Sequence, residues 1–179
     1  MIEAQRRAYA DRSEYLGDSD FYPVPIARLI DKEYAVERFQ DFEFGRAGSS
    51  EKIGPGIAPR ESLETTHVSV IDDLGNAVSY TTTLNLSYGS KIVVTGAGFL
   101  LNNEMDDFSA KENEPNFYGL IGRKANAIKP GKRMLSSMTP TIILKDNQPL
   151  LVTGSPGGST IITTTLQVIM NVIDHGMSL

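Results

Sequence analysis

The chain changes character at residues 64 and 65, and that change limits what it can fold into. Before it, the pattern is helical. Residues 2–16 read as a charged helix with Gly17 as its stop. Pro23 and Pro25 then break the chain, and Asp31 is placed to N-cap a second helix running to about Phe44, with Ala35, Phe39 and Phe42 at helical spacing. Residues 45–60, GRAGSSEKIGPGIAPR, hold four Gly, two Pro and two Ser and read as a flexible, exposed linker. After it the period drops to two. Val68-Ser69-Val70-Ile71 reads as a strand, Asp72 to Asn76 as a turn, and Ala77 to Leu84 as a returning strand.

A second hairpin follows a long, weakly patterned stretch. Residues 102–133 read as loop with short turns, then Thr139–Leu144 and Leu150–Thr153 flank a turn at 145–149. Ser159 is a candidate N-cap for a last helix ending near His175, with Gly176 in the C′ role. Its apolar face, Ile161, Ile162, Leu166, Ile169, Val172 and Ile173, predicts a largely buried helix.

Antiparallel pairing turns these strands into proximity. A turn centred on Leu74-Gly75 or Gly75-Asn76 puts Thr65 opposite Leu84 or Leu86, so Thr83 and Asn85 return beside Thr65. A turn centred near Asp146-Asn147 puts Ser136-Ser137 opposite Pro156-Gly157, so the serines and the Gly157-Gly158 pair share one end of a sheet.

Composition removes several functions. A formal net charge of -5 offers no basic field for nucleic acid or anionic membrane. The absence of Cys excludes disulfides, thiol catalysis and Cys-based zinc sites, and two His are too few for a His-rich metal site. No apolar run is long enough to span a bilayer. The N-terminus is charged and helical rather than a signal segment, and both ends read as cuts through a larger protein.

Hydroxyl chemistry stays open, and one threonine is placed for it. Thr65 opens a strand directly after the linker. A Thr hydroxyl inside a chain is a poor nucleophile, and becomes a good one when the preceding bond is cut and the new α-amine acts as its base. Gly157-Gly158 sits between a strand and a helix start, where bare N–H groups can hold an anion or oxyanion. A phosphate loop fails because no Gly-Lys-Ser/Thr follows. Each residue also has a plainer reading. The glycines make a tight turn, Thr65, Thr83 and Asn85 are ordinary strand residues, Ser136-Ser137 cap a strand, and His67 packs beside one. Glu104-Met105-Asp106-Asp107 is either a solvated acidic turn or a site for a ligand amine or cation.

Four blocks of sequence, in order, resemble the small subunit of γ-glutamyltransferases: Thr65-Thr66-His67-Val68-Ser69-Val70 with Asp72 and Gly75-Asn76-Ala77-Val78; Leu101-Asn102-Asn103-Glu104-Met105-Asp106-Asp107-Phe108; Lys132 to Thr141; and Gly154-Ser155-Pro156-Gly157-Gly158-Ser159. Residues 1–64, including Tyr9-Ala10-Asp11-Arg12-Ser13-Glu14-Tyr15-Leu16-Gly17-Asp18, resemble the end of that family's large subunit. The resemblance implies an α+β fold, a four-layer αββα sandwich of the N-terminal-nucleophile hydrolase type. It implies domains 1–64 (the large-subunit end) and 65–179 (the small-subunit core), parted by autocatalytic cleavage of Glu64–Thr65.

The resemblance also implies roles. Thr65 is the nucleophile that carries a γ-glutamyl group from glutathione-like amides to water, an amino acid or a peptide, and Thr83 orients it. Asn85, Glu104 and Asp107 hold the α-amino and α-carboxylate ends of glutamate, the acids taking the ammonium. Ser136 and Ser137 bind the α-carboxylate, and Gly157 and Gly158 face the oxyanion. Tyr118 matches a lid residue of some members that closes by bonding Asn85. No cofactor or metal is implied. The family's carboxylate-clamping arginine lies far upstream and matches no residue here. The chain is thus expected to be a fragment straddling a processing site, with a missing large-subunit portion as partner, self-association through uncovered apolar surface, and a periplasmic or extracellular origin. The alternatives are an unprocessed, inactive piece, or a related acylase or poly-γ-glutamate processing enzyme.

Overall fold

The computed structural model describes residues 1–49, 53, 65–111, 114–116 and 120–178. They form two compact units, one from residues 1–58 and 105–135, the other from residues 59–104 and 136–179. Most of the expected linker, residues 50–52 and 54–60, lies outside the described residues.

In the first unit, α1 spans Ile2–Tyr15 and ends where Leu16 turns extended, at φ -87° and ψ 139°. Gly17 follows as expected, for a reason other than chain reversal. A Cβ there would lie 2.0 Å from the Ala125 carbonyl oxygen, so glycine permits a close approach of two backbones. A short helix α2, Ile26–Leu29, precedes α3, Lys32–Arg38. Asp31 caps α3 as expected, its carboxylate accepting from the Glu33 and Tyr34 N–H groups at 2.7 and 3.1 Å.

The expected run of α3 to Phe44 is wrong, since the helix ends at Arg38. The carbonyl of Arg38 accepts a 2.6 Å bond from Arg7 Nε, and the Arg7 guanidinium also holds Asp41 and Glu3. Arg7 is buried, and its charge is met by these carboxylates and by stacking over the Phe39 ring. The long loop of this unit is pinned in the same manner. Asp18, seated beyond α1, accepts from the Arg133 backbone N–H, Nε and Nη2 at 2.9, 3.0 and 2.6 Å. Lys132 Nζ donates to the Ala125 and Ala127 carbonyls at 2.7 and 2.9 Å.

In the second unit, β1 (Thr65–Ile71) pairs antiparallel with β2 (Ala77–Thr83), and β3 (Thr141–Lys145) with β4 (Gln148–Thr153), as separate two-stranded sheets. The first register corrects the expectation: Thr65 faces Thr83, neither Leu84 nor Leu86. The turn is centred on Leu74 because Asp72 organises it. Its Oδ1 accepts from the Leu74 and Asn76 N–H groups at 2.9 and 2.8 Å, and Gly75 takes φ +83°. The second hairpin begins in the expected register, Lys145↔Gln148, then a bulge between Ile143 and Leu144 shifts it by one. Its ladder ends at Thr141↔Thr153.

After β4 the chain passes through a 3-10 turn, Gly158–Thr160, into α4, Ile161–Ile173. Ser159 therefore lies inside the turn, and Thr160 holds the N-cap position without a side-chain bond. The C-cap is Asp174, so Gly176 lies one residue beyond the expected C′ position, in the left-handed conformation at φ +64°. The helix is less buried than its apolar face predicts. Ile161 and Thr165 are buried, whereas Leu166 and Ile173 are exposed. The β1–β2 hairpin inverts the usual pattern. Val68, Val70, Val78 and Tyr80 are exposed, while His67 and Ser79 turn toward the exit of β4.

Candidate active site

Thr65 is the first residue of β1 and sits directly across the ladder from Thr83, the last residue of β2. Both are half-buried. They line a concavity of about 450 Å³ at this end of the hairpin, with Thr66, Leu84, Leu86 and Tyr88. Register alone brings the two hydroxyl residues together, because cross-strand neighbours on one face are in contact range.

Asn85 continues the site. It is 4% exposed and takes φ +73°, a left-handed conformation that Asn tolerates better than most residues. Its N–H donates to Thr83 Oγ1 at 3.0 Å, and its Nδ2 donates to the Asn103 carbonyl at 3.2 Å. Asn103 answers with its own side chain, whose Oδ1 accepts from the Leu86 N–H at 3.1 Å. Asn103 is a support the sequence reading left without a role. The signal was present in the Leu101-Asn102-Asn103 run, since paired Asn residues in a loop commonly bond backbone.

Glu104 stands next to this brace, its N–H held by Asn102 Oδ1 at 3.1 Å. Burial pushes its carboxyl above the ordinary range. The boundary between the two compact units runs through the 3-10 turn Glu104–Asp107, so Glu104 belongs with Thr65 and Asp107 belongs with the first unit. There, Asn126 Nδ2 donates to the Asp107 carbonyl at 2.7 Å, and Asp107 lines a cavity of about 20 Å³ with Arg12, Ser109 and Asn126.

Ser136 and Ser137 precede β3, and Gly157 and Gly158 follow β4, so both pairs stand at the Thr141–Thr153 end of the second hairpin. Ser136 Oγ accepts from the Met138 N–H at 3.0 Å. Gly157 takes φ +130° and Gly158 φ +55°, conformations that favour glycine. The Gly157 carbonyl accepts from the Thr160 N–H and hydroxyl at 3.0 and 2.7 Å. The pair is thus a tight turn, as its plainer reading had it, and one whose backbone polar groups are ordered. Glu64 and Tyr118 lie outside the described residues. Among the described residues, no group of three or more acids or histidines could hold a metal ion.

Comparison with known proteins places this geometry. The family model described as Gamma-glutamyltranspeptidase matches residues 1–179. The chain is 56% identical over 179 residues to the glutathione hydrolase proenzyme of Escherichia coli (strain K12), covering 99% of this chain and 31% of that protein. It is 53% identical over 178 residues to the proenzyme of the same name from Pseudomonas sp. (strain A14), covering 99% and 31% respectively. Among solved structures, a threonine-to-alanine mutant of Helicobacter pylori γ-glutamyltranspeptidase matches with TM-score 0.62 and 66% identity, over 63% of this chain and 61% of that one. A cephalosporin acylase from Bacillus halodurans matches with TM-score 0.75 and 28% identity, over 98% of this chain and 29% of that one.

Mixed helices and strand hairpins, with these solved neighbours, give the chain a fold of the N-terminal-nucleophile hydrolase type. The chain belongs to the γ-glutamyltranspeptidase family. It spans about 31% of the length of these two curated relatives.

Proposed function

We propose that Thr65 is the nucleophile of a γ-glutamyl transfer and hydrolysis reaction on glutathione-like amides, released by cleavage of the Glu64–Thr65 bond. The observation that carries this reading is the placement of Thr65 at the head of β1, paired with Thr83 across the ladder, with both residues lining an open concavity. In maturation, Thr65 Oγ attacks the Glu64 carbonyl carbon. The C–N bond breaks, its nitrogen takes the hydroxyl proton, and water hydrolyses the resulting ester, leaving Glu64 as a carboxylate and Thr65 with a free α-amine.

In turnover, that amine, with an ordinary pKa of about 8, accepts the Thr65 hydroxyl proton as the oxygen attacks the γ-carbonyl of substrate. Gly157 and Gly158 N–H groups receive the tetrahedral oxyanion. Collapse expels the amine leaving group with the proton, giving a γ-glutamyl ester on Thr65. Water, or the amine of an amino acid or peptide, then takes the acyl group. Thr83 orients Thr65, Asn85, Ser136 and Ser137 hold the α-carboxylate side, and Glu104 and Asp107 take the ammonium. Tyr118 serves as lid.

This reading assigns the two hairpins to the central layers of a four-layer αββα sandwich and residues 1–64 and 65–179 to large- and small-subunit parts. A further large-subunit portion, or a second copy, would cover the exposed valine face of β1–β2, and the reading places the protein in the periplasm or outside the cell. Release of a chromogenic amine from a γ-glutamyl anilide tests it: Thr65→Ala should show none, and activity in that variant would remove Thr65 from the role.

The likeness to a cephalosporin acylase, over 98% of this chain and 29% of that one, favours one second reading, a related acylase. An acyl anilide lacking the α-amino group separates the two. Preference for the γ-glutamyl compound supports the glutamate-binding roles of Glu104 and Asp107, and preference for the amine-free compound supports the acylase.

A further inference from the structure

His67 has no part in the proposed chemistry, yet it lies two residues after Thr65, on the same face of β1. Its ring is braced on both nitrogens. Nδ1 lies 2.8 Å from Thr81 Oγ1, and Nε2 lies 3.0 Å from Ser69 Oγ. A hydroxyl can donate or accept, so both neighbours stay satisfied whichever nitrogen carries the proton.

The ring meets Gly154. A Cβ on Gly154 would lie 2.3 Å from the ring Cε1 and 2.4 Å from Nδ1, well inside contact distance. Gly154 does not adopt positive φ, so its backbone conformation gives no reason for glycine; the ring does. Gly154 directly follows Thr153, the last residue of β4, whose carbonyl accepts from Ser79 Oγ at 2.9 Å. The exit of β4 is therefore fixed from the β1–β2 hairpin twice, by the Ser79 hydroxyl and by the His67 ring. Three residues later the chain reaches Gly157 and Gly158.

We infer that His67 is a positioning residue: its ring, held by Thr81 and Ser69, seats Gly154 and thereby sets where the Gly157-Gly158 N–H groups stand relative to Thr65. The catalytic consequence rests on the function proposed above; the ring-on-glycine contact does not.

The test is hydrogen exchange by mass spectrometry on the full chain, followed in the segment 154–160, for wild type, His67→Ala, Gly154→Ala and the double variant. Each single variant should speed exchange in that segment. The double variant should exchange more slowly there than Gly154→Ala alone, because removing the ring makes room for the new Cβ. In parallel, turnover of the γ-glutamyl anilide by His67→Ala should lose about tenfold to a hundredfold in kcat, as misplaced catalytic groups do, with KM within about twofold.

Unchanged segment exchange in His67→Ala, or purely additive effects in the double variant, would overturn the inference. A loss confined to KM would also overturn it. Where His67→Ala loosens the whole hairpin, Gly154→Ala, which keeps the His67 side chain, decides alone: segment exchange equal to wild type refutes the seating. An inactive wild type would count against the proposed function, while the exchange results would still decide the contact.

Discussion

Asn85 shows how one residue can serve fold and chemistry together. Its buried side chain and left-handed backbone are held by Thr83 and Asn103, so its orientation beside Thr83 is set before any substrate arrives. Asn85→Ala removes the bond to Asn103 and leaves a residue with less tolerance for φ +73°. The expected cost is about 1–3 kcal/mol, measured by urea unfolding; an unchanged midpoint would contradict this. Glu104 gives a pH signature. Burial raises its carboxyl, so on acidification it gains a proton earlier than an ordinary Glu and loses the charge proposed to meet the substrate ammonium. KM for the γ-glutamyl anilide should therefore rise as pH falls through that raised value, and the rise should vanish in Glu104→Gln. A KM profile unaltered by the substitution would exclude Glu104 from ammonium binding. Thr65 was legible from its place after the linker and Thr83 from approximate pairing, whereas Asn103 was not, because its role depends on a cross-loop bond that no periodicity encodes.

At the scale of elements, the hairpins were legible and their details less so. Alternation placed all four strands within a few residues, yet the register of β1 on β2 depends on Asp72, which widens the turn by bonding two N–H groups. The bulge at Ile143/Leu144 left no mark in the pattern. Phe39 and Phe42 kept helical spacing and pack on each other, 4.6 Å between ring centres, while α3 had already ended, because Arg7 claims the Arg38 carbonyl. The turn at Gly157 yields a direct prediction. At φ +130°, with an added Cβ 3.0 Å from Thr160 Oγ1, Gly157→Ala should strain or displace the turn, at a cost of about 1–3 kcal/mol. Turnover should fall with it; activity equal to wild type would remove this turn from the oxyanion role.

At the scale of the molecule, the bonds that order the first unit join residues far apart in sequence, which no local reading reaches. Asp18 and Arg133 are 115 residues apart. The Arg133 side chain, and then its backbone N–H, hold the Asp18 carboxyl well below the ordinary range. A depressed carboxylate adds stability above its unfolded value of about 3.9 and loses it as pH falls from there toward the folded value. Thermal melts should fall steeply with acidification below about pH 4 in wild type and more gently in Asp18→Asn, which should already melt lower at neutral pH; parallel profiles would contradict the clamp. Which apolar side chains stay exposed, Val68, Val70 and Val78 among them, was hidden for the same reason, since burial is a property of all elements together. The central claim concerns one bond. Intact-mass analysis during incubation should show the chain dividing into two pieces, one ending at Glu64 and one beginning at Thr65, while Thr65→Ala stays whole. A wild-type chain that remains a single mass, or a Thr65→Ala chain that still divides there, would contradict the account.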